Sequence, residues 1–321
     1  MSRPSILVAT IVISVASAFR STHVHPKSST HLLQTVGSST YVDNLTPSTT
    51  LDSTNSWTQL LSIAASTGRG EFASRQEIDM AASLITQLEQ SMTLSSPTTS
   101  AHIRGTWNLL YSDTQLFRSS PFFMAGRAVC TTPDQAKQYD WFCDMHRAAL
   151  AISSIQTVRQ IISETRLVSE FEVHVGAIPF LGIYSGGWPV TINGAIVSSA
   201  DITPTPNDET AWELFMDTVE IKGSNIPGLR QVLDQGLSLS SRKLGTILEQ
   251  TIQTYTNPKP IFKTTYLSDT KRISRDQDDN VFVYTKVSDR TEPTDYSSVL
   301  PDLGVARLLE GFNDAITKFY L

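Results

Sequence analysis

Two short segments, far apart in the chain, constrain the fold more than anything else in it: Gly105–Ser112 (GTWNLLYS) and Arg272–Tyr284 (RISRDQDDNVFVY). In the first, Trp107, Leu109 and Tyr111 share one face at the two-residue spacing of a strand. In the second, a polar turn from Asp276 to Asn280 gives way to Val281-Phe282-Val283-Tyr284. A Gly-x-Trp that opens one strand, with an arginine near the last strand, is a pattern by which small closed barrels plug one end. The indole of Trp107 fills the taper, and the guanidinium of Arg272 or Arg275 stacks on its face for roughly 0.5–2 kcal/mol. A barrel closed in this way leaves a pocket for one apolar ligand. The side chains expected to line it are Trp107, Tyr111, Phe171, Val173, Phe215 and Phe282.

Other runs carry the same strand signal. Leu167, Ser169, Phe171, Val173 and Val175 alternate with Val168, Glu170, Glu172 and His174. A run from Val190 to Thr203 holds Ile192 and Ile196, with Gly194 expected to mark a bulge or bend, and stops at Pro204 and Pro206. Thr210 to Lys222 puts Trp212, Leu214 and Met216 on one face and Phe215, Val219 and Ile221 on the other. Thr264–Leu267 and Arg272–Lys286 supply the last hairpin. Short, turn-bounded and mostly antiparallel strands suit a barrel better than a parallel sheet.

Helical spacing dominates elsewhere. Ser56 is expected to cap a helix carrying Trp57, Leu60, Leu61 and Ala64, which ends at Gly68-Arg69-Gly70. Ser74 and Glu77 form a capping box for a second helix, with Ile78, Ala81, Ala82, Ile85 and Leu88 on one stripe and Pro97 beyond its end. Such a pair most simply covers an open edge or end of the barrel. Two insertions also read as helical. One runs from Pro133 to Ile152, and the other from Asn225 to Asn257 with a kink at Gly236. Their apolar faces pack on the barrel wall, lie over its mouth as a lid, or rest on a lipid surface. The fold class is mainly β with added helices (α+β): an antiparallel β-barrel preceded by a helical pair.

Several of these segments together resemble one family. They are Leu60-Leu61 before Thr67-Gly68-Arg69-Gly70, the run from Ile78 to Glu89, Gly105–Ser112, Arg118–Phe123 (RSSPFF) and Arg272–Tyr284. Their order and spacing, across most of Ser56 to Lys286, resemble the plastid lipid-associated proteins (PAP), also called fibrillins or plastoglobulins. The resemblance implies a lipocalin-like barrel in chloroplasts, associated with thylakoids or plastid lipid droplets. It further implies binding or organising of hydrophobic small molecules (prenylquinones, carotenoids or acyl lipids), without catalytic residues or a cofactor. The stretches Ala125–Glu164 and Gly223–Asn257 are longer here than in the shorter members.

The leader points to a compartment. Arg3, the apolar run Ile6–Val15 and Ala16-Ser17-Ala18 lay out a secretory signal peptide over residues 1–18. That run is too short to cross a ~30 Å hydrocarbon core as a helix, so no transmembrane span is expected. Residues 19–55 are rich in Ser and Thr, with Arg20 and Lys27 and no acidic residue before Asp43, which reads as a disordered plastid transit peptide. Signal plus transit peptide is the bipartite address of plastids enclosed by extra membranes. Ordinary secretion is the alternative, and Phe19 and the acid-poor tract argue against it.

Three of the chain's 25 basic and two of its 31 acidic residues precede Ser56, which leaves 22 against 29 in the mature part. This balance gives no drive toward nucleic acid or strongly anionic lipid. Residues 56–289 read as one barrel domain with helical insertions. Residues 290–321 form a C-terminal piece with an amphipathic helix from about Asp302 to Lys318. Arg307 and Lys318 are offset there by Glu310 and Asp314, so docking against the domain is favoured over contact with a droplet or thylakoid.

Chemistry-bearing motifs are sparse. Cys130 and Cys143 are the only cysteines. They read as two buried or half-buried thiols, with a redox-switched bridge or a metal site built on Cys143, His146 and a distant His174 as alternatives. Asp276–Asn280 fails as a calcium loop, because Val281 and Val287 stand where Gly and Glu are needed. Glu213 and Asp217 share a face with Phe215. If that face is interior they are a buried carboxyl pair able to serve a small-molecule enzyme, and if exterior they are solvated. A scaffold whose barrel is filled by its own side chains is the third reading.

Overall fold

The computed structural model describes residues 53–92, 96–149, 153–175, 192–224, 230, 238–251 and 256–298. Period-two sequences dominate these residues and form nine strands: β1 (Gly105–Ser112), β2 (Ser153–Ile162), β3 (Arg166–Val175), β4 (Ile192–Thr205), β5 (Asp208–Lys222), β6 (Ser238–Ser240), β7 (Ile261–Leu267), β8 (Lys271–Arg275) and β9 (Val281–Ser288). All pairings are antiparallel, in the order β4-β3-β2-β1-β9-β8-β7-β5-β6. Because β4 also pairs with β5, eight strands close into a barrel. β6 pairs only with the stretch of β5 beyond its contact with β7. Closure satisfies the backbone donors and acceptors that an open sheet would leave at its edges.

The helical pair is α1 (Ser53–Ser66) and α2 (Arg75–Gln90). Both halves of the capping box are made, with the Ser74 hydroxyl accepting from the Glu77 amide and the Glu77 carboxylate accepting from the Ser74 amide. Ser56 is not a cap, because the helix begins a turn earlier, and its hydroxyl donates to Gln87 of α2. The pair packs on the outside of the barrel: Trp57, Leu60, Ile85 and Leu88 bury against Tyr111, Ile273, Val281 and Val283. Each fully buried aliphatic of this kind contributes about 1.5–3 kcal/mol. The turn between the helices is tied to the barrel by close backbone approach. The Ser112 amide donates to the Arg69 carbonyl at 3.0 Å. Gly70, at φ +94°, lies so near that a Cβ there would sit 2.0 Å from the Ser112 carbonyl oxygen.

Three further α-helices lie among the described residues: α3 (Pro121–Ala128), α4 (Pro133–Ala149) and α5 (Ser241–Thr251). Among the described residues, no helix is long and apolar enough to cross a membrane. From Asp289 to Ser298 the chain runs over the outer wall without forming a helix. The Thr106 hydroxyl donates to the Arg290 carbonyl, Thr294 and Tyr296 donate to Glu170, and Tyr296 packs with Ile161, Val168, Ala195 and Val197.

Several local expectations change. The first helical insertion is borne out over Pro133–Ala149, and the sequence gives no strand signal over Ser153–Ile162, where β2 forms. Gly194 is no bulge, since β3 and β4 pair without a register shift, and the irregularities fall between Ser199 and Ala200 and between Pro204 and Thr205 against β5. Pro204 lies inside β4. Residues 53–55, expected to be disordered, open α1. The expected signal peptide (1–18), residues 19–52 of the expected transit segment and the helix expected over 302–318 lie outside the described residues. So do Ile152 and, within the second insertion, residues 225–229, 231–237 and 252–255.

Candidate ligand site inside the barrel

Strand parity sets which side chains point inward. On β8, Lys271, Ile273 and Arg275 meet the outer helices, so Arg272 and Ser274 face the interior. On β3, Val168 and Glu170 meet the outer C-terminal segment, so Ser169, Phe171 and Val173 face inward. In register across β1, β2, β3 and β4, the inward row reads Trp107, Gln160, Ser169, Ser198. All four are buried, at 1 % exposure or less. The middle of this barrel is therefore partly polar.

One end is sealed. The segment from Ser96 to Arg104 runs from β5 and β7 to the start of β1, which lies across the barrel from β5. The Trp107 indole N–H donates to the Ile103 carbonyl of this segment at 2.8 Å. Lys286 lies over the same indole and pairs with Asp289. The other end is partly covered. After β1, a 3-10 turn (Leu116–Ser119) leads into α3, which touches β3, β4 and β5 on the far side. Tyr139 of α4 donates to the Phe123 carbonyl, and Arg118 and Arg127 pair with Asp278 of the β8–β9 turn. At this end two inward-facing residues, Ile196 and Ile221, are 36 % and 40 % exposed, so solvent reaches the inner wall.

Arg272 sits at the centre with no exposed surface. Its guanidinium carbon lies 4.0 Å from the centre of the Tyr284 ring, 5.2 Å from that of Trp107 and 6.0 Å from that of Phe262. Nη2 donates to Gln160 Oε1 at 2.5 Å, and Gln160 Nε2 donates to the Ser119 carbonyl at 2.8 Å, which links the cation to the turn over the mouth. Nε and Nη1 have no partner, and the hydroxyls of Ser169 and Ser198 have none either. No carboxylate among the described residues pairs with Arg272. Burial alone therefore lowers its pKa, to about 10. Burial also pushes the Tyr284 phenol well up, despite the cation beside it.

The residues expected from sequence separate into two groups. Trp107, Phe171, Val173, Phe282 and Arg272 face the interior. Tyr111 does not: a register shift between Leu109 and Tyr111 turns it outward, into the cluster under α1 and α2. Phe215 is also outside, beneath the Arg242 guanidinium of α5. Arg275 takes no part in closing the barrel, because it lies an odd number of residues from Arg272 and pairs with Glu89 of α2. The expectations missed Gln160, Ser169, Ser198, Phe262 and Tyr284. Tyr284 and Phe262 had a signal, being two residues from an inward neighbour on a short strand, whereas Gln160 and the serines are polar and broke the apolar alternation.

Glu213 and Asp217 lie on the outer face, with Lys259 and with Arg166 and Arg242 respectively, so they form no interior carboxyl pair. Both cysteines are free thiols. Burial raises Cys130 and lifts Cys143 to about 11, which keeps both as thiols at neutral pH. His146 is packed among Phe117, Phe123 and Phe142, and burial lowers its pKa. Among the described residues, no group of three or more His, Cys, Asp or Glu side chains gathers as metal ligands. Asp276 makes the β8–β9 turn, accepting from the amides of Asp278 and Asn280 and from the Asn280 side chain.

A closed eight-stranded antiparallel barrel that holds a buried arginine beside Trp107 is a lipocalin-like architecture. Residues 55–285 match the model of the PAP_fibrillin family, and the chain belongs to that family. No curated protein and no solved structure is significantly similar to it.

Proposed function

We propose that this is a plastid lipid-associated protein whose barrel binds one hydrophobic small molecule, a prenylquinone, carotenoid or acyl lipid, at or near thylakoid or plastoglobule surfaces. One observation carries the reading: a fully buried cation, ringed by aromatic side chains, has unpartnered donors inside a closed barrel. A barrel packed only to support itself gains nothing from such groups, since each unsatisfied buried donor costs roughly 1–3 kcal/mol. The inner wall above the cation is apolar, with Phe171, Phe282, Leu214 and Met216, and the exposed Ile196 and Ile221 give an apolar ligand a route inward. Membership of the family and the signal-plus-transit leader support a plastid address. Attachment to lipid surfaces is peripheral in this reading.

The test is organic extraction of protein purified from its own plastids, with mass spectrometry of the extract. A near-stoichiometric hydrophobic compound is expected. An extract without one, combined with no uptake of added quinone, carotenoid or acyl lipid by the purified protein, overturns the carrier role.

A further inference from the structure

We propose that the ligand is an acid: the barrel holds the carboxylate of a long-chain monocarboxylate on Arg272, beside Gln160, Ser169 and Ser198, with the chain directed toward Phe171 and Ile196. This inference rests on the carrier reading above and narrows it to a chemical class.

The argument begins with charge. Arg272 has no exposed surface and, among the described residues, no acidic partner, so the barrel interior they form holds one positive charge without a counter-charge. The aromatic faces at 4.0, 5.2 and 6.0 Å stabilise the cation but accept no hydrogen bond in the guanidinium plane. Three N–H groups, on Nε and Nη1, remain unsatisfied in that plane. A guanidinium held flat by stacking presents the planar fork that a carboxylate fits.

The neighbours extend the same site. Gln160 bonds Arg272 and lies beside Ser169, which lies beside Ser198, on adjacent strands about 4.8 Å apart. Both serine hydroxyls are buried, unpartnered and able to donate. Arg272 can only donate and the serine hydroxyls can donate as well as accept, so the set favours an anionic head over an amine. Charge count then separates anions. One monovalent carboxylate balances one guanidinium, whereas a phosphate monoester brings nearly two negative charges to a place with a single free cation. Lys286 does not supply the second, since it is paired with Asp289. Beyond the polar row, the inward wall becomes Phe171, Val173, Ile196 and Ile221, which suits a hydrocarbon chain whose far end reaches the mouth.

The experiment uses the delipidated protein and three probes with matched chains: cis-parinaric acid, its methyl ester, and an alkyl phosphate competing against the acid. The acid is expected to bind about tenfold or more tighter than the ester, as a charge-assisted pair requires, and to be displaced poorly by the phosphate. Arg272→Gln is expected to erase the difference between acid and ester. Equal binding of acid and ester by the wild type, or tighter binding of the phosphate, overturns the carboxylate site and leaves the carrier role standing. Failure of both acid and ester to bind overturns the carboxylate site, and the carrier role falls with it only if added quinone and carotenoid are not taken up either. The wild-type comparison decides the matter even if the variant does not fold.

Discussion

Arg275 of β8 and Glu89 at the end of α2 form a two-point clamp, with Nε donating to Oε1 at 2.9 Å and Nη2 donating to Oε2 at 3.1 Å. Both side chains are about four-fifths buried, and Thr265 donates to the same carboxylate. The clamp fixes the helical pair at the end opposite its glycine turn, so α2 is held at both ends against the same wall.

Arg275→Ala is therefore expected to lower unfolding stability by about 2 kcal/mol, because it leaves a largely buried carboxylate with one hydroxyl donor. Glu89→Ala should cost a similar amount, and the double variant much less than the sum. Urea unfolding of the four proteins measures this. Additive losses would mean that the two side chains act independently. Ligand binding should be retained in all of them, since neither residue faces the interior.

The reach and limits of the sequence are visible in this pair of arginines. Both were candidates to stack on Trp107, but they are three residues apart on one short strand, and parity sends only one of them inward. Where alternation ran unbroken, from Leu167 to Val175, facing was readable. It failed at Tyr111, because a bulge between Leu109 and Tyr111 reverses parity and leaves no mark in the residue types. The strand β2 escaped notice because its inward position at the barrel's centre is Gln160, and a polar residue there erases the apolar period. The features hardest to read were thus the polar groups on which the proposed ligand site depends.

Four tyrosines carry phenols that burial pushes above their ordinary value of 10: Tyr111 to about 12, and Tyr139, Tyr284 and Tyr296 higher. In the unfolded chain these groups ionise near 10, while in the fold they keep their protons. Above pH 10 the folded state thus binds more protons than the unfolded state, and stability falls as pH rises. Below pH 10 these groups contribute no slope. The expected result is a cooperative alkaline transition in which tyrosinate absorbance and loss of β-sheet circular dichroism coincide. Early, gradual ionisation of all nine tyrosines with the sheet intact would contradict the burial of these four.

Stability of the empty protein separates an anchor from a strut at Arg272. If the guanidinium existed to brace the barrel against Trp107, removing it would cost 3–5 kcal/mol, as breaking a satisfied buried ionic contact does. The interior shows something different: two nitrogens unbonded, no counter-charge, and one hydrogen bond to Gln160. Stacking on three rings and that single bond offset the desolvation of the cation, with little left over. Arg272→Met keeps most of the volume and apolar contact, removes the desolvated charge and strands only the Gln160 acceptor. The delipidated variant should therefore match the wild type within about 1 kcal/mol, or about 2–4 °C in Tm for a domain of this size. Added long-chain acid should raise the Tm of the wild type, because it binds only the folded state, and leave that of the variant nearly unchanged. A large loss of stability without ligand would instead make Arg272 part of the end closure, with its free donors incidental.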